Sequence, residues 1–366
     1  MLKKVTTSIQ AILLVIFLTT VYPTLSQAQS ANISDGMSPL LAAKYIHSVI
    51  EANRTIYSEL IVERLGATIG LPATENWEKE KALPLPAQFL LKTAEDSNAK
   101  GIGMHYRLIS LWPINKKNGP QSSFETKGLE HNLQNPTEPF SQLISVNGKP
   151  FFRAIFPDKA VSKSCVQCHN KHLQSPKRDF KLGDIMGGII IDLPVEKTAS
   201  ANNSPLIAPE VVADYIHSII ESNRTVYSET IVDRLHKMKI AYASENWWED
   251  NTLLLPAQFL LDASDLIAQK NVALDFKLIS LWPINPQNGS ANEFERNGLQ
   301  YVLQHQTRPY FKKTTLSRKK FFEAIYPDYA VTPACVECHN QHPKSPKKDF
   351  KLGDVMGGIS LFFTIK

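Results

Sequence analysis

Apolar positions along the chain change their period in an ordered way. From Ser38 they recur at helical spacing through Ile50, Tyr57 and Ile61, which predicts a long first helix. Ser38 supplies its N-cap, Pro39 its first turn and Gly66 its expected stop. A second helix is expected from Pro86. Alternation takes over at residues 105–112 and 151–156, which predicts strands, with a helix over residues 124–133 between them. Asn147-Gly148 predicts a tight hairpin turn. Residues 185–192 read as a last strand closing an antiparallel sheet flanked by helices, the pattern of an α+β module.

The whole order then returns. An offset of 170 turns Tyr45-Ile46-His47 into Tyr215-Ile216-His217, and the run Ser110-Leu111-Trp112-Pro113 into Ser280-Leu281-Trp282-Pro283. Within residues 151–188, 26 of 38 positions are identical to their counterparts in 321–358, which a shared pattern alone does not produce. The chain is therefore read as a tandem duplication: one module over residues 38–194, a small and polar linker over 195–207, and a second module over 208–366. Ser317-Arg318 replaces Asn147-Gly148, so the second hairpin is expected to turn differently or to be looser.

Ahead of the first module, a basic start, an apolar run at residues 11–20 and Ser26-Gln27-Ala28 read as a signal peptide over residues 1–28. The apolar run falls short of the roughly 20 residues that cross a bilayer. The mature protein is thus expected to be exported, periplasmic and without a membrane span. A formal charge of +5 excludes a nucleic-acid footprint. Lys312, Lys313, Arg318, Lys319 and Lys320 gather in the second module where the first has only Lys149. Such a run is ordinarily a solvated face, and it could also steer an acidic redox partner.

All four cysteines fall in two Cys-x-x-Cys-His motifs, at Cys165, Cys168 and His169 and at Cys335, Cys338 and His339. A redox disulfide needs no adjoining histidine, and a structural zinc needs four ligands in one small fold. Covalent haem attachment needs two thiols for thioethers and a histidine directly behind them. The reading is two c-type haems, with the four cysteines as thioether residues and His169 and His339 as proximal iron ligands. For the sixth iron position, His47 and His217 are the candidates, because they recur in both modules. They share a helical face with Arg54 and Tyr57 in the first module and Arg224 and Tyr227 in the second, which could line a haem pocket. A hydrogen-bonded core histidine is the plainer alternative. Met186 and Met356 could supply a thioether ligand instead, although a strand methionine is more often core, and an open position is the remaining case. The pairs Gly187-Gly188 and Gly357-Gly358 permit close backbone approach, as to a porphyrin. His172 and His342 follow the proximal histidines too closely to reach the opposite face of the same iron and are expected to order the loop or bind a propionate.

These residues carry a resemblance. The run Asn53-Arg54-x-x-Tyr57, then Leu85-Pro86-Ala87, then Ser110-Leu111-x-Pro113-x-Asn115, then Cys-x-x-Cys-His-Asn with Ser-Pro-Lys and Lys-x-Gly-Asp, occurs in each repeat. It is similar to the PAS-like c-type haem domain that serves as the extracytoplasmic input of bacterial histidine kinases and adenylate cyclases, and that also occurs as free-standing proteins. The resemblance implies two PAS-like modules, each an antiparallel sheet with a long N-terminal helix and a haem between helix and sheet. Some members of that family take a cysteine of the first helix as the sixth ligand, and this chain has none to offer. No transmitter follows the second repeat, so any signal is expected to pass to a separate protein. The functional expectation is a non-enzymatic dihaem electron carrier with a redox protein as partner. The alternative is a redox or diatomic-gas sensor signalling to a membrane partner. A dihaem peroxidase is disfavoured because its two haem domains would differ.

Overall fold

The computed structural model describes residues 36–196, 204–270 and 272–365. The expected signal peptide at 1–28 and the linker stretch 197–203 lie outside the described residues. Helix α1 (Pro39–Ile56) starts where Ser38 Oγ accepts a hydrogen bond from the Leu41 amide. It widens without a break into a π-helical turn, Tyr57–Glu63, and resumes as α2 (Arg64–Thr68). The helix therefore runs through Gly66. Burial of Leu65 against the core favours continuation over the weak cost of one glycine.

Two short strands, β1 (Ala73–Thr74) and β2 (Leu83–Pro84), pair in parallel and lead into α3 (Pro86–Ala99). The rest of repeat one is β3 (His105–Ile109), α4 (Ser123–Gln134), β4 (Phe140–Val146), β5 (Lys149–Lys159), α5 (Lys163–Lys171) and β6 (Ile185–Pro194). The strands form one antiparallel sheet in the order β3-β6-β5-β4. Its pleat sends Ala154, Phe156, Ile189 and Ile191 into the core shared with α1, and sends Ile155 and Ile190 toward Leu129 of α4.

Repeat two rebuilds the same order. It comprises α6 (Pro209–Val226), a π-helical turn Tyr227–Asp233, α7 (Arg234–Lys237), β7 (Ala243–Ser244), β8 (Leu253–Leu254), α8 (Pro256–Gln269) and β9 (Leu274–Ile279). Then follow α9 (Glu293–Gln304), β10 (Tyr310–Leu316), β11 (Lys319–Tyr329), α10 (Pro333–Gln341) and β12 (Val355–Thr364). Its sheet order is β10-β11-β12-β9. The chain is thus α+β, with two four-stranded antiparallel sheets in tandem PAS-like modules. Among the described residues, no helix is long and apolar enough to cross a membrane.

The second hairpin does not turn differently. Ser317 and Arg318 take φ of +49° and +67°, close to the +50° and +77° of Asn147 and Gly148, and both turns join their strands through two residues. The registers of the flanking strands require this left-handed turn, and the side chains in repeat two accept the strain.

The repeats pack as two halves about a pseudo-two-fold axis. Met37 and Ile207, equivalent residues, exchange both backbone hydrogen bonds at 2.8 and 2.9 Å, and the equivalent rings of Phe89 and Phe259 meet at 6.1 Å. Off the axis the main charged contacts have their mirrors, whereas the 2.8 Å bond of Ser97 with Ser218 and that of Tyr45 with Thr364 belong to one side only. Lys100 pairs with Glu221 at 2.6 Å and Lys270 with Glu51 at 2.8 Å. Arg64 lies 4.8 Å over Trp247 and donates to the carbonyls of Trp247 and Thr252. Arg234 lies 5.0 Å over Trp77 and donates to those of Trp77, Glu80 and Ala82. Self-complementary contacts of this kind characterise isologous association. One hydrophobic core runs continuously through both halves.

Candidate functional site

Each Cys-x-x-Cys-His motif lies on a short helix, α5 or α10, rather than in a loop. Ser162 Oγ lies 3.3 Å from Cys165 Sγ, and Thr332 Oγ1 keeps the same distance to Cys335 Sγ. The amide of Lys163 donates to Glu63 Oε2 at 3.0 Å, which ties α5 to the π-helical turn against which it packs. At the other end Asn170 clamps Phe180, donating to its carbonyl at 2.9 Å and accepting from its amide at 3.0 Å. Asn340 and Phe350 repeat both distances. Phe180 and Phe350 in turn meet His169 and His339 edge-on, at 5.7 and 5.9 Å. The Asn-to-Phe clamp thus sets the orientation of the imidazole behind the two thiols.

The four thiols are free. Burial pushes Cys168 up, with Glu75 and then Cys165 adding to the effect. Cys338 is raised by burial, Glu245 and Cys335 in the same way. A thioredoxin-type nucleophile needs the reverse, a thiolate favoured near neutrality. Among the described residues, no three His, Cys, Asp or Glu side chains gather as a metal-ion site, and each cysteine pair sits in its own repeat. The donor set of each motif instead fits a haem: two accessible thiols, and a histidine whose Nδ1 is buried without a partner. Burial pushes His169 down, with His172 and Arg54 contributing, which favours the neutral imidazole that can donate to iron. His172 itself orders the loop, its Nδ1 accepting from the Gln174 amide at 3.1 Å and its Nε2 facing Glu75 at 3.5 Å.

Arg54 stands beside this helix. Its guanidinium pairs with Asp158 of β5 at 2.8 Å and donates to the Lys159 carbonyl at 3.2 Å, with both charged side chains almost fully buried. Burial pushes Asp158 up and Arg54 opposes it. Arg224 and Asp328 repeat the pair at 2.5 Å. The acid partner was legible in principle, since Pro157-Asp158 and Pro327-Asp328 recur at the same offset.

His47 keeps different company. Its ring stacks on Phe156 at 4.2 Å, and His217 stacks on Tyr326 at 4.0 Å. Nε2 of each is buried and unpartnered. Burial lowers both to about 4, against the opposing pull of Glu51 or Glu221, with the other repeat's Lys270 or Lys100 and the local Arg54 or Arg224 lowering them further. Arg54 thus acts electrostatically on both His169 and His47. Tyr57 stacks on Phe89 of α3 at 4.1 Å and donates to the Pro84 carbonyl at 2.8 Å, and Tyr227 does the same with Phe259 and Leu254. Ring and hydroxyl are both engaged in the core between the helices.

The paired glycines are also accounted for without a cofactor. A Cβ on Gly187 would lie 2.3 Å from the Ile109 carbonyl oxygen, and one on Gly188 would lie 2.7 Å from the Ile155 side chain. They let β3 and the α4 face close on the sheet. Met186 and Met356 are core residues, packed with Phe180 and Cys165 or with Phe350 and Cys335. A cavity of about 390 Å³ lies between the repeats, at residues 69–72 and 240–242, and contains none of these side chains.

A family model described as Tll0287-like matches the chain twice, over residues 38–194 and 208–364. A solved structure, that of the cyanobacterial heme-protein Tll0287, is 15% identical, covering 44% of this chain and 99% of that chain with a TM-score of 0.29. No curated protein matches the chain.

Proposed function

The chain belongs to the Tll0287-like family, and from that premise we propose that it is an exported dihaem c-type cytochrome, with one covalent haem per repeat, that relays electrons in the periplasm. One observation carries the reading. Both repeats present a CxxCH helix held by the same Asn-to-Phe clamp, with free thiols and an orphaned buried histidine nitrogen. Cys165 and Cys168, and Cys335 and Cys338, would carry the thioethers. His169 and His339 would be the proximal ligands, and Arg54 and Arg224 would face the propionates. Bound haem supplies a one-electron couple. The protein's own part is to hold each imidazole neutral, to fix its plane, and to place a cation close by. The reading is non-enzymatic, with a redox protein as partner.

For the sixth position, His47 and His217 offer neutral imidazoles with unpartnered Nε2 atoms. Their stacking on Phe156 and Tyr326, and the packing of α5 against the π-helical turn instead, favour a second reading: an open position and a sensor of diatomic gas.

The experiment is maturation in a host with working cytochrome assembly, followed by intact mass and optical spectra. Two haem additions and a Soret band are expected, and the Cys165→Ser, Cys168→Ser double variant should retain one. A mass without haem refutes the proposal. Low-spin ferrous spectra unchanged by carbon monoxide, but altered in His47→Ala and His217→Ala, support the carrier. A rapid shift under carbon monoxide supports the sensor.

A further inference from the structure

The outer face of the second sheet has an opening where the first sheet is filled. In repeat one the Arg153 guanidinium forks onto Asp192 with bonds of 2.6 and 2.7 Å. It turns its third nitrogen toward Glu125, which Arg107 also reaches at 2.6 Å. Repeat two builds the same frame without that side chain. Glu323 stands in the place of Arg153, Phe362 in that of Asp192, and Asp275 in that of His105. The result is a cavity of about 170 Å³ whose lining includes Glu323, Phe362, Asp275, Lys277, Phe294 and Glu295.

Strand register fixes how the chemistry is arranged. Glu323 lies directly across from Phe362, and Phe362 directly across from Asp275, so two carboxylates flank one ring in a single row on one face of the sheet. The ring lines the cavity and leaves 38% of the Phe362 surface exposed. Glu295 is buried as Glu125 is, and is held by Lys277 at 2.6 Å and by the Ala291 amide. Asp275 accepts only the Ser264 hydroxyl, at 3.2 Å, and among the described residues Glu323 makes no ion pair, not even with Lys312 across from it on β10. Three carboxylates thus face two ammonium groups, and one negative charge is left over.

We propose that this cavity is a binding site for a guanidinium group from outside the chain, the group that repeat one supplies to itself. Glu323 and Asp275 offer acceptors for its forked N–H groups, and the Phe362 ring offers a face on which a planar, weakly hydrated cation stacks. An ammonium group has neither the fork nor the plane. A cavity of this size takes a head group rather than a whole ligand, since drug-sized ligands need about 300 Å³ or more. The guanidinium comes either from a free small molecule or from an arginine side chain of a partner protein, and the two sources are separable by experiment.

The test is ligand-observed saturation-transfer NMR on the full protein with three probes: methylguanidinium, methylammonium, and a glycine-flanked arginine peptide with blocked ends. Methylguanidinium should bind at about millimolar concentration, on the order of tenfold more tightly than methylammonium. Glu323→Gln should weaken binding on the order of tenfold, and Phe362→Leu about threefold. The double variant Glu323→Arg, Phe362→Asp installs the fork of repeat one. It should abolish binding while raising the melting temperature, which separates a filled site from an unfolded one. A peptide bound about tenfold more tightly than methylguanidinium assigns the site to a partner's arginine, because only the peptide reaches the rim; equal affinities assign it to a free guanidinium compound. No saturation transfer to either guanidinium probe, an equal response to methylammonium, or unaltered binding in Glu323→Gln overturns the proposal. The outcome is independent of haem, since the cavity contains none of the CxxCH residues.

Discussion

Repeat one and repeat two agree to a few tenths of an ångström around their CxxCH helices and diverge where the sheet meets solvent. Ser162 to Cys165 and Thr332 to Cys335 are both 3.3 Å, and the Asn-to-Phe clamps match in both bonds. On the far face of the sheet, Arg153 pairs with Asp192 and, together with Arg107, reaches the buried Glu125. Glu323, Phe362 and Lys277 occupy those positions in repeat two, and only Lys277 still reaches the buried Glu295. The difference separates two kinds of constraint. A buried polar group must find its partner inside the protein, so its neighbours cannot drift independently. A half-exposed ion pair can be exchanged for water at little cost.

The largest effect should come from the buried ion pairs, where the repeats are alike. Arg54→Met leaves Asp158 buried without its cation, and Arg224→Met does the same to Asp328. Each should cost about 3–5 kcal/mol in chemical denaturation. A cost confined to one repeat would break the equivalence.

Next comes pH. His47 and His217 fall from the ordinary 6.5 to about 4 on folding, so the unfolded chain binds their protons first. Their contribution is complete above pH 6.5 and is lost as pH falls from 6.5 toward 4, by about 3 kcal/mol for each histidine. Urea titrations of the haem-free chain across that window should show this slope, and His47→Leu or His217→Leu should each remove about half of it. A flat profile would mean that Nε2 is solvated.

The smallest effect sharpens the contrast. Arg153→Met should destabilise repeat one by about 1–2 kcal/mol, because Glu125 keeps Arg107 and Asp192 is partly solvated. Glu323→Met, at the same place in repeat two, should change melting by about 0.5 kcal/mol or less.

Much of the fold was legible because its signals are local. Ser38-Pro39 marks a helix start, the alternation of residues 151–156 marks β5, and Asn147-Gly148 marks its turn. The π-helical turns left no such mark. Glu63 of the first bonds the α5 amide 100 residues away, whereas Pro333 has no amide to offer at the same place in repeat two, where the turn forms all the same. The direction of Tyr57 left no mark for a related reason. Three residues along a helix rotate the side chain about 60° away from Arg54, enough to serve α3 instead of β5. The CxxCH residues needed no such geometry, since their chemistry is written in adjacent positions.

By itself the sequence determined the duplication, the α+β order of elements, the strand positions and the two CxxCH motifs, because each depends on neighbours within one turn, one strand or one repeat offset. Only the tertiary structure decided that the repeats meet about a pseudo-two-fold axis, and that Arg64 and Arg234 reach across it. It also decided that Arg54 faces Asp158 while Tyr57 faces Phe89, and that Gly187 and Gly188 let β3 and the α4 face close on the sheet. Those outcomes depend on which surfaces exclude water together, and side chains far apart in sequence compete for the same space only once the chain has closed on itself.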